Sequence, residues 1–228
     1  MHFIKDLLFP KICVGCGAIG SFICFNCQNR LIFSEKQRCF QCREPSLYGF
    51  THPSCRRNFG LDGVVSLYVY NPFLKKLLKT AKYRLAKEAL NELLNLSISP
   101  IGLLLFSSRS PFKTLPLLPI PLHRSRMSAR GFNQSDIICK FMRSLRPEVE
   151  IIDLLERVRN TPAQAQLKSK LKRYLNTTSA FKVKKKLLPS EVMLVDDVIT
   201  TGSTIRSATE VLKRAGVKRV YAFSLGHG

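Results

Sequence analysis

The chain has 228 residues, of which 45% are apolar, and 37 lysines and arginines against 15 acidic residues give it a net charge of +22. This length allows one medium domain with a small appendage, and the composition excludes disordered, collagen-like and coiled-coil chains. No stretch reaches the roughly 18 uninterrupted apolar residues of a membrane-spanning helix, since three prolines interrupt the most apolar one, residues 115–122.

The first ten residues carry a lysine and an aspartate inside their only apolar run, which is not typical of a secretion signal. We therefore expect the protein in the cytoplasm, either free or at the inner face of the cytoplasmic membrane. Its net charge predicts an anionic partner, and nucleic acid, phosphorylated metabolites and anionic lipids all qualify.

Seven of the eight cysteines fall between residues 13 and 55, and six of them form CxxC pairs. Two thiolates at this spacing can turn inward around one metal ion. The regular spacing and the absence of a secretion signal favour zinc over a disulfide framework. With one histidine, eight ligands are present, enough for two zinc sites: Cys13, Cys16, Cys24, Cys27, Cys39, Cys42, His52 and Cys55.

The pairing of these ligands stays open at this point. Sequential pairing places the first four on one zinc ion, joined by a glycine-containing hairpin, and the last four on another. Interleaved pairing is the alternative, and the site that uses His52 can also lack metal. Because so small a segment builds little apolar core, metal binding would supply its folding free energy. We predict a zinc-ribbon domain over residues 1–60 and a second domain over residues 61–228.

Beyond residue 60, short β-branched runs alternate with segments of helical periodicity. Residues 64–70 predict a strand, and residues 72–86 and 87–96 predict two helices. Residues 115–122 predict a buried strand, whereas the assignment of the GLLLF run at 102–106 stays open. A further helix over residues 133–145, capped by Asn133 or Ser135, would place Cys139 in the core as an unreactive thiol.

The stretch from Arg157 to Ser190 contains ten lysines and arginines and no acidic residue. A solvated helical face normally mixes both signs, so this stretch favours contact with a polyanion over a surface kept basic for solubility. Further arginines surround a turn near residue 131, where a binding role and a capping role are equally supported. The candidate polyanion contacts are Arg126, Arg130, Arg157, Arg159, Lys172, Arg173, Lys182, Lys184, Lys185 and Lys186.

The last 40 residues predict a β-α-β unit and hence a parallel sheet. A continuous apolar strand at 192–195 leads to Asp196 and Asp197, and a TTGST loop then opens a helix that ends near residue 215. Residues 217–224 predict the next strand. The amides and hydroxyls of such a loop suit a phosphate, and the two carboxylates suit the hydroxyls of a ribose. Simple helix capping explains this combination less well, because a buried strand precedes the acid pair.

The run VMLVDDVITTGST resembles the phosphoribosyl pyrophosphate (PRPP) motif of type I phosphoribosyltransferases, and the whole chain is similar to the ComF/GntX family. The likeness covers the CxxC pairs, IPLHRSRMSARGFNQS at 120–135, and an RxRxTxxQxxL pattern that begins at Arg157 and continues to Phe181. It implies an α/β fold with a type I phosphoribosyltransferase-like, Rossmann-like parallel sheet and a small N-terminal zinc-ribbon domain.

The resemblance also implies a PRPP site at the carboxyl ends of the strands. Asp196 and Asp197 would bind the ribose hydroxyls, and a loop containing His123 and Arg124 would approach the pyrophosphate. Magnesium would bridge pyrophosphate and ribose oxygens, largely through waters. Residues 157–176 correspond to the mobile loop that covers such sites. The 5′-phosphate would lie on Thr200, Thr201, Gly202, Ser203 and Thr204.

Three functions follow from the resemblance. The first is the handling of single-stranded DNA during natural transformation by a protein that retains its PRPP site. The second is an active phosphoribosyltransferase that acts on a nucleobase or another nucleophile, although no base-specificity element is recognisable. The third is a scaffold whose zinc ribbon docks a DNA-uptake helicase or channel protein. The net charge favours the first, with turnover of PRPP left open.

Overall fold

The structure is a computed structural model, and it describes residues 10–81, 87–159, 180–184 and 187–228. In chain order its strands are β1 (Gly63–Val69), β2 (Leu117–Pro119), β3 (Leu155–Arg157), β4 (Phe181–Val183), β5 (Glu191–Ile199) and β6 (Arg219–His227). Four of them form a central parallel sheet in the order β1-β6-β5-β2, and β3 and β4 form a separate antiparallel pair. The α/β class and the parallel sheet are therefore confirmed.

Helices cover both faces of this sheet. Gly102–Phe106 forms a π-helical turn after α4, and 3₁₀ turns span Leu47–Gly49 and Pro53–Cys55. The GLLLF run whose assignment was open is thus helical, with Leu105 fully buried. The helices are α1 (Phe25–Gln28), α2 (Pro72–Thr80), α3 (Lys87–Leu96), α4 (Ile98–Ile101), α5 (Arg124–Arg130), α6 (Gln134–Leu145) and α7 (Ser203–Arg214).

Strand β5 is apolar on both sides because each side packs on a different cluster of side chains. Met193 and Val195 belong to the cluster formed with α2, α3 and α6. Val192 and Leu194 belong to the cluster formed with α7. Alternate residues of a strand point to opposite faces, so a strand covered by helices on both faces is continuously apolar. Cys139 lies fully buried in the first cluster, and burial raises the pKa of its thiol well above the ordinary value, which agrees with a core role.

Several elements differ from the sequence expectation in length. Strand β2 covers residues 117–119 rather than 115–122, because the prolines at 116, 119 and 121 have no N–H to donate to a neighbouring strand. The helix expected over 72–86 ends at Thr80, and residues 82–86 lie outside the described part of the chain. Strand β5 continues through Asp196 and Asp197 to Ile199, so the acid pair lies within the ladder.

Residues 10–60 contain short turns and isolated bridges, such as the antiparallel bridge between Ile12 and Ile19, and they pack on the sheet domain. The division at residue 60 stays a prediction. Among the described residues, no single helix is both long and apolar enough to cross a membrane. Helix α3 and the segment Ile98–Phe106 pass that test only together, as a pair bent by 64°.

Asn133 connects the start of α6 to the end of β2. It is 7% exposed, its Oδ1 accepts from the Ser135 amide at 3.2 Å, and its Nδ2 donates to the Ile120 carbonyl at 3.0 Å. Between the two expected capping residues, the structure thus selects Asn133.

We expect Asn133→Ala to lower the free energy of unfolding by about 2 kcal/mol, because it removes the cap and leaves a buried carbonyl without its donor. Asn133→Ser keeps a cap acceptor and should lose only about 1 kcal/mol. Urea denaturation measures both variants. An alanine variant as stable as the parent would contradict this role.

Candidate functional site

The predicted metal ligands form two groups in the structure. Cys13, Cys16, Cys24 and Cys27 lie together, as do Cys39, Cys42, His52 and Cys55, and within each group all the ligand atoms are within 4.8 Å of one another. The structure therefore has the sequential arrangement of ligands, and the interleaved alternative is not observed.

Each group contains one cysteine whose thiolate form is favoured by the backbone, whereas burial raises the pKa of Cys27 and Cys55. Burial alone would raise the pKa of Cys13, but the backbone amides of Cys24, Cys16 and Gly15 outweigh it and lower that pKa to about 6. Backbone amides likewise lower the pKa of Cys39 to about 7, against the opposing effect of burial. Thiolates are the form that binds zinc, and three or four of them complete a tetrahedral structural site.

His52 is oriented as zinc-binding histidines usually are. Its Nε2 lies 3.2 Å from the Pro45 carbonyl oxygen, and its Nδ1 lies 3.3 Å from Cys42 Sγ. A backbone acceptor on one ring nitrogen holds the proton there and leaves the other nitrogen to the metal. His52 is therefore suited to be the fourth ligand of the second group.

The acid pair lies near the carboxyl end of β5. The Oδ1 of Asp196 accepts from the Asp197 amide at 2.9 Å and from Ser135 Oγ at 3.3 Å. Asp197 is 7% exposed, and its Oδ1 accepts from the Val198 amide at 3.0 Å. The strand ladder, rather than a loop, thus fixes the position of both carboxylates.

The TTGST loop follows directly and opens α7. Gly202 occupies the cap position with a left-handed backbone, φ 71°, and has no side chain to cap the helix. The Ser203 amide donates to Thr201 Oγ1 at 3.4 Å. Thr200 and Thr201 are exposed, whereas Ser203 and Thr204 are half-buried. A helix start among hydroxyls, with glycine at its cap position, can receive an anion on its amides. The loop has the chemistry of a phosphate site.

Arg157 lies near Asp196 and near two further arginines. Arg157, on β3, is 8% exposed. Burial lowers the pKa of its guanidinium, nearby Arg126 and Arg130 lower it further, and Asp196 acts in the opposite direction. The sequence predicts all three arginines as polyanion contacts, and in the structure the buried Arg157 lies close enough to Asp196 for their charges to interact.

The other candidate residues are distributed around this edge. His123 caps α5 and accepts from the Ser125 amide at 3.3 Å, while Arg124 is exposed and pairs with Glu156 at 3.2 Å. Lys184 pairs with Asp153 at 2.5 Å. Lys184 is exposed, as are Arg159 and Lys182. Four candidates lie outside the described residues, namely Lys172, Arg173, Lys185 and Lys186.

Comparison with known proteins decides the family. Residues 139–225, from within α6 to β6, match the phosphoribosyl transferase domain. The DNA utilization protein YhgH of Escherichia coli O157:H7 is 30% identical over 230 residues, which covers 96% of this chain and 98% of that protein. The chain belongs to the ComF/GntX family. Competence protein F of Haemophilus influenzae is 34% identical over 48% of this chain, and competence protein ComFC of Streptococcus pneumoniae is 32% identical over 50% of it.

Two residues that contact the TTGST loop of this ComF/GntX protein were not predicted from the sequence. Phe40, in the second metal-binding segment, lies against Gly202, and Arg206, on α7, donates to the Thr201 carbonyl at 2.9 Å. The only sequence signal was the phenylalanine that both the Cys24–Cys27 and the Cys39–Cys42 segments contain. That repetition does not show which of the two packs on the loop.

Both ligand groups should hold zinc, and we expect elemental analysis of the purified protein to find two zinc ions per chain. A strong chelator should lower the melting temperature, since metal binding contributes to folding in segments with little core. A protein without zinc, or one whose melting is indifferent to the chelator, would contradict this assignment.

Proposed function

We propose that this protein handles single-stranded DNA during DNA uptake and binds PRPP together with magnesium. The observation that carries this proposal is that the acid pair, the TTGST loop that opens α7 and the buried Arg157 lie at one edge of the sheet. Relatives named as competence and DNA utilization proteins support the biological setting. The net charge of +22 supports a polyanionic partner.

The proposed ligand site has three parts. Asp196 and Asp197 accept hydrogen bonds from the ribose hydroxyls, and the amides and hydroxyls of residues 200–204 receive the 5′-phosphate. Arg126, Arg130 and Arg157 offset the charge of the pyrophosphate, which gives a reason for burying a guanidinium near a carboxylate. Magnesium, when bound, screens the pyrophosphate and keeps most of its waters.

DNA is proposed to follow the exposed cations beside this site. Arg159 follows β3, Lys182 lies on β4, and both are exposed. Lys184 is also exposed but is paired with Asp153, and Arg157 is buried. The first two are therefore the described residues best placed for a DNA backbone. We further propose that the protein acts in the cytoplasm, free or at the inner face of the membrane. There it would meet the helicase or channel proteins of DNA uptake.

An active phosphoribosyltransferase is the second candidate, because the phosphoribosyl transferase domain match includes the acid pair and the loop. In that reaction the bond between ribose C1 and the pyrophosphate oxygen breaks as a nucleophile forms a bond to C1. Release of pyrophosphate on adding a nucleobase to PRPP and magnesium tests this function. Turnover without DNA binding would favour the enzyme over the DNA-handling protein.

PRPP affinity should depend on the acid pair. We expect the double variant Asp196→Asn/Asp197→Asn to bind PRPP at least about tenfold more weakly in calorimetry, since charge-assisted hydrogen bonds contribute about 1.5–3 kcal/mol each. Asparagine keeps the size of both side chains, so the sheet should stay intact. Lys182→Gln serves as the control and should bind PRPP as the parent does. Unchanged affinity in the double variant would refute the site.

DNA affinity should depend on salt through the exposed cations. For a single strand, the slope of log affinity against log salt is about −0.7 per phosphate neutralised. We expect Arg159→Gln/Lys182→Gln to flatten that slope by about 1.4 while PRPP binding persists.

The matched control for this pair is Lys113→Gln/Lys218→Gln. It removes the same charge from exposed positions that precede β2 and β6, at the opposite edge of the sheet. If both double variants changed the slope equally, net charge and not a defined path would be responsible.

A further inference from the structure

The two metal-binding segments contain a phenylalanine at the same position but in different surroundings. Phe25 lies between Cys24 and Cys27 and is 81% exposed. Phe40 lies between Cys39 and Cys42 and is 1% exposed. The local sequence is nearly the same, so the difference comes from what packs on each segment.

Phe40 packs on the turn that opens α7. A Cβ added to Gly202 would lie 2.2 Å from Phe40 Cζ, so the ring fills the space that any side chain at this position would need. Phe40 also belongs to the same buried cluster as Ile199 and Ile205, which directly precede and follow the TTGST loop. The loop is therefore bounded on both ends by residues that share a core with the second metal-binding segment.

Polar contacts attach the same segment to the loop. The Arg206 guanidinium carbon lies 4.6 Å from the centroid of the Phe40 ring, and its Nη1 donates to the Thr201 carbonyl at 2.9 Å. Arg206 thus joins the ring to the loop by a cation–π contact and a hydrogen bond.

Arg43 provides a second attachment, immediately after Cys42. Its Nη1 lies 2.8 Å from His227 Nε2 and donates to the Gly228 carbonyl at 3.3 Å. Burial and the neighbouring Arg43 lower the pKa of His227 to about 4, so the imidazole is neutral near pH 7 and accepts from the guanidinium. The Gly228 amide donates to the Ile199 carbonyl at 3.0 Å, which links this attachment to the residue before the loop.

The first metal-binding segment is attached at a different place. The Glu92 carboxylate on α3 accepts from the amides of Phe22 and Ile23 at 2.7 and 3.1 Å. Lys76 on α2 donates to the Val14 carbonyl at 2.7 Å. These contacts fix the first segment to α2 and α3, and none of them involves the loop.

We propose that the second metal centre positions the phosphate loop, with Phe40 as the positioning residue. When metal is bound, Cys39 and Cys42 fix the segment between them, so that the Phe40 ring packs against Gly202. This packing keeps the loop amides in place for the anion. The inference rests on the proposed function, because it takes residues 200–204 as the phosphate site. It implies reciprocal coupling: phosphate binding should tighten metal binding at the second centre but not at the first.

Calorimetric binding of ribose 5-phosphate to the full chain tests Phe40 directly. We expect Phe40→Ala to weaken binding at least about tenfold, with two zinc ions retained, and Phe25→Ala, the matched control, to leave affinity within about twofold of the parent. Phe40→Leu refills most of the space and should restore part of the lost affinity. If Phe40→Ala does not fold, Phe40→Leu against Phe25→Leu makes the same comparison. Equal affinities in the two matched variants would overturn the proposal.

Gly202→Ala separates positioning from general destabilisation. In the parent, the added Cβ meets the Phe40 ring, so affinity should fall. In the Phe40→Ala background that collision is absent, so the same substitution should lower the affinity by a smaller factor. Equal fold losses in the two backgrounds would show that Phe40 and the loop act independently, and that result would count against the proposal.

Removal of one metal at a time gives the last comparison. Cys42→Ser and Cys16→Ser each change an exposed second cysteine of a CxxC pair, and each should lower the zinc content by about one ion. Only Cys42→Ser should lose ribose 5-phosphate affinity, and equal losses would overturn the inference.

If the parent binds ribose 5-phosphate and this binding depends on Asp196 and Asp197 but not on Phe40, this inference alone is overturned. No binding by the parent would overturn the proposed function as well.

Discussion

The position of β5, hydrogen-bonded between β6 and β2, determines where the rest of the site lies. Its apolar residues are buried on both faces, and the ladder continues beyond them, so that Asp196 still pairs with Ser224 and Ile199 with His227. The backbone of the acid pair is thereby part of the strand, each carboxylate accepts from the amide of the residue that follows it, and the TTGST loop starts from a fixed point. Because all four strands are parallel, the ends of β2 and β6 reach the same edge.

The charge of the buried Arg157 is partly compensated at this edge. Arg157 is more than nine-tenths buried, and the half-buried Asp196 opposes the effect of burial on the pKa of Arg157. A buried charge is costly unless opposite charges or hydrogen bonds accompany it. The anionic ligand proposed above would add negative charge near Arg157, and it would offset the repulsion that Arg157 experiences from Arg126 and Arg130.

Local signals in the sequence were sufficient for β5, α3, α7 and the metal ligands. Continuous apolar residues indicate a strand buried on both faces, and regular CxxC spacing indicates metal whichever residues pair. Long-range packing was not accessible in the same way. Nothing in the local sequence distinguishes Phe40 from Phe25, and the burial of Arg157 depends on the pairing of β3 with β4, which are 24 residues apart in a segment without clear periodicity. The predicted boundaries of β2 were wrong because prolines shorten this strand.

Hydrogen exchange of the full chain, with and without PRPP and magnesium, tests most directly whether the acid pair, the loop and the second metal-binding segment act as one unit. Ligand should slow exchange in peptides covering residues 196–206, through direct contact with the loop, and in peptides covering residues 39–43, through Phe40. Peptides covering residues 13–27 should be unchanged, because that segment packs on α2 and α3. Protection at 13–27, or a response confined to residues far from β5, would contradict this organisation of the site.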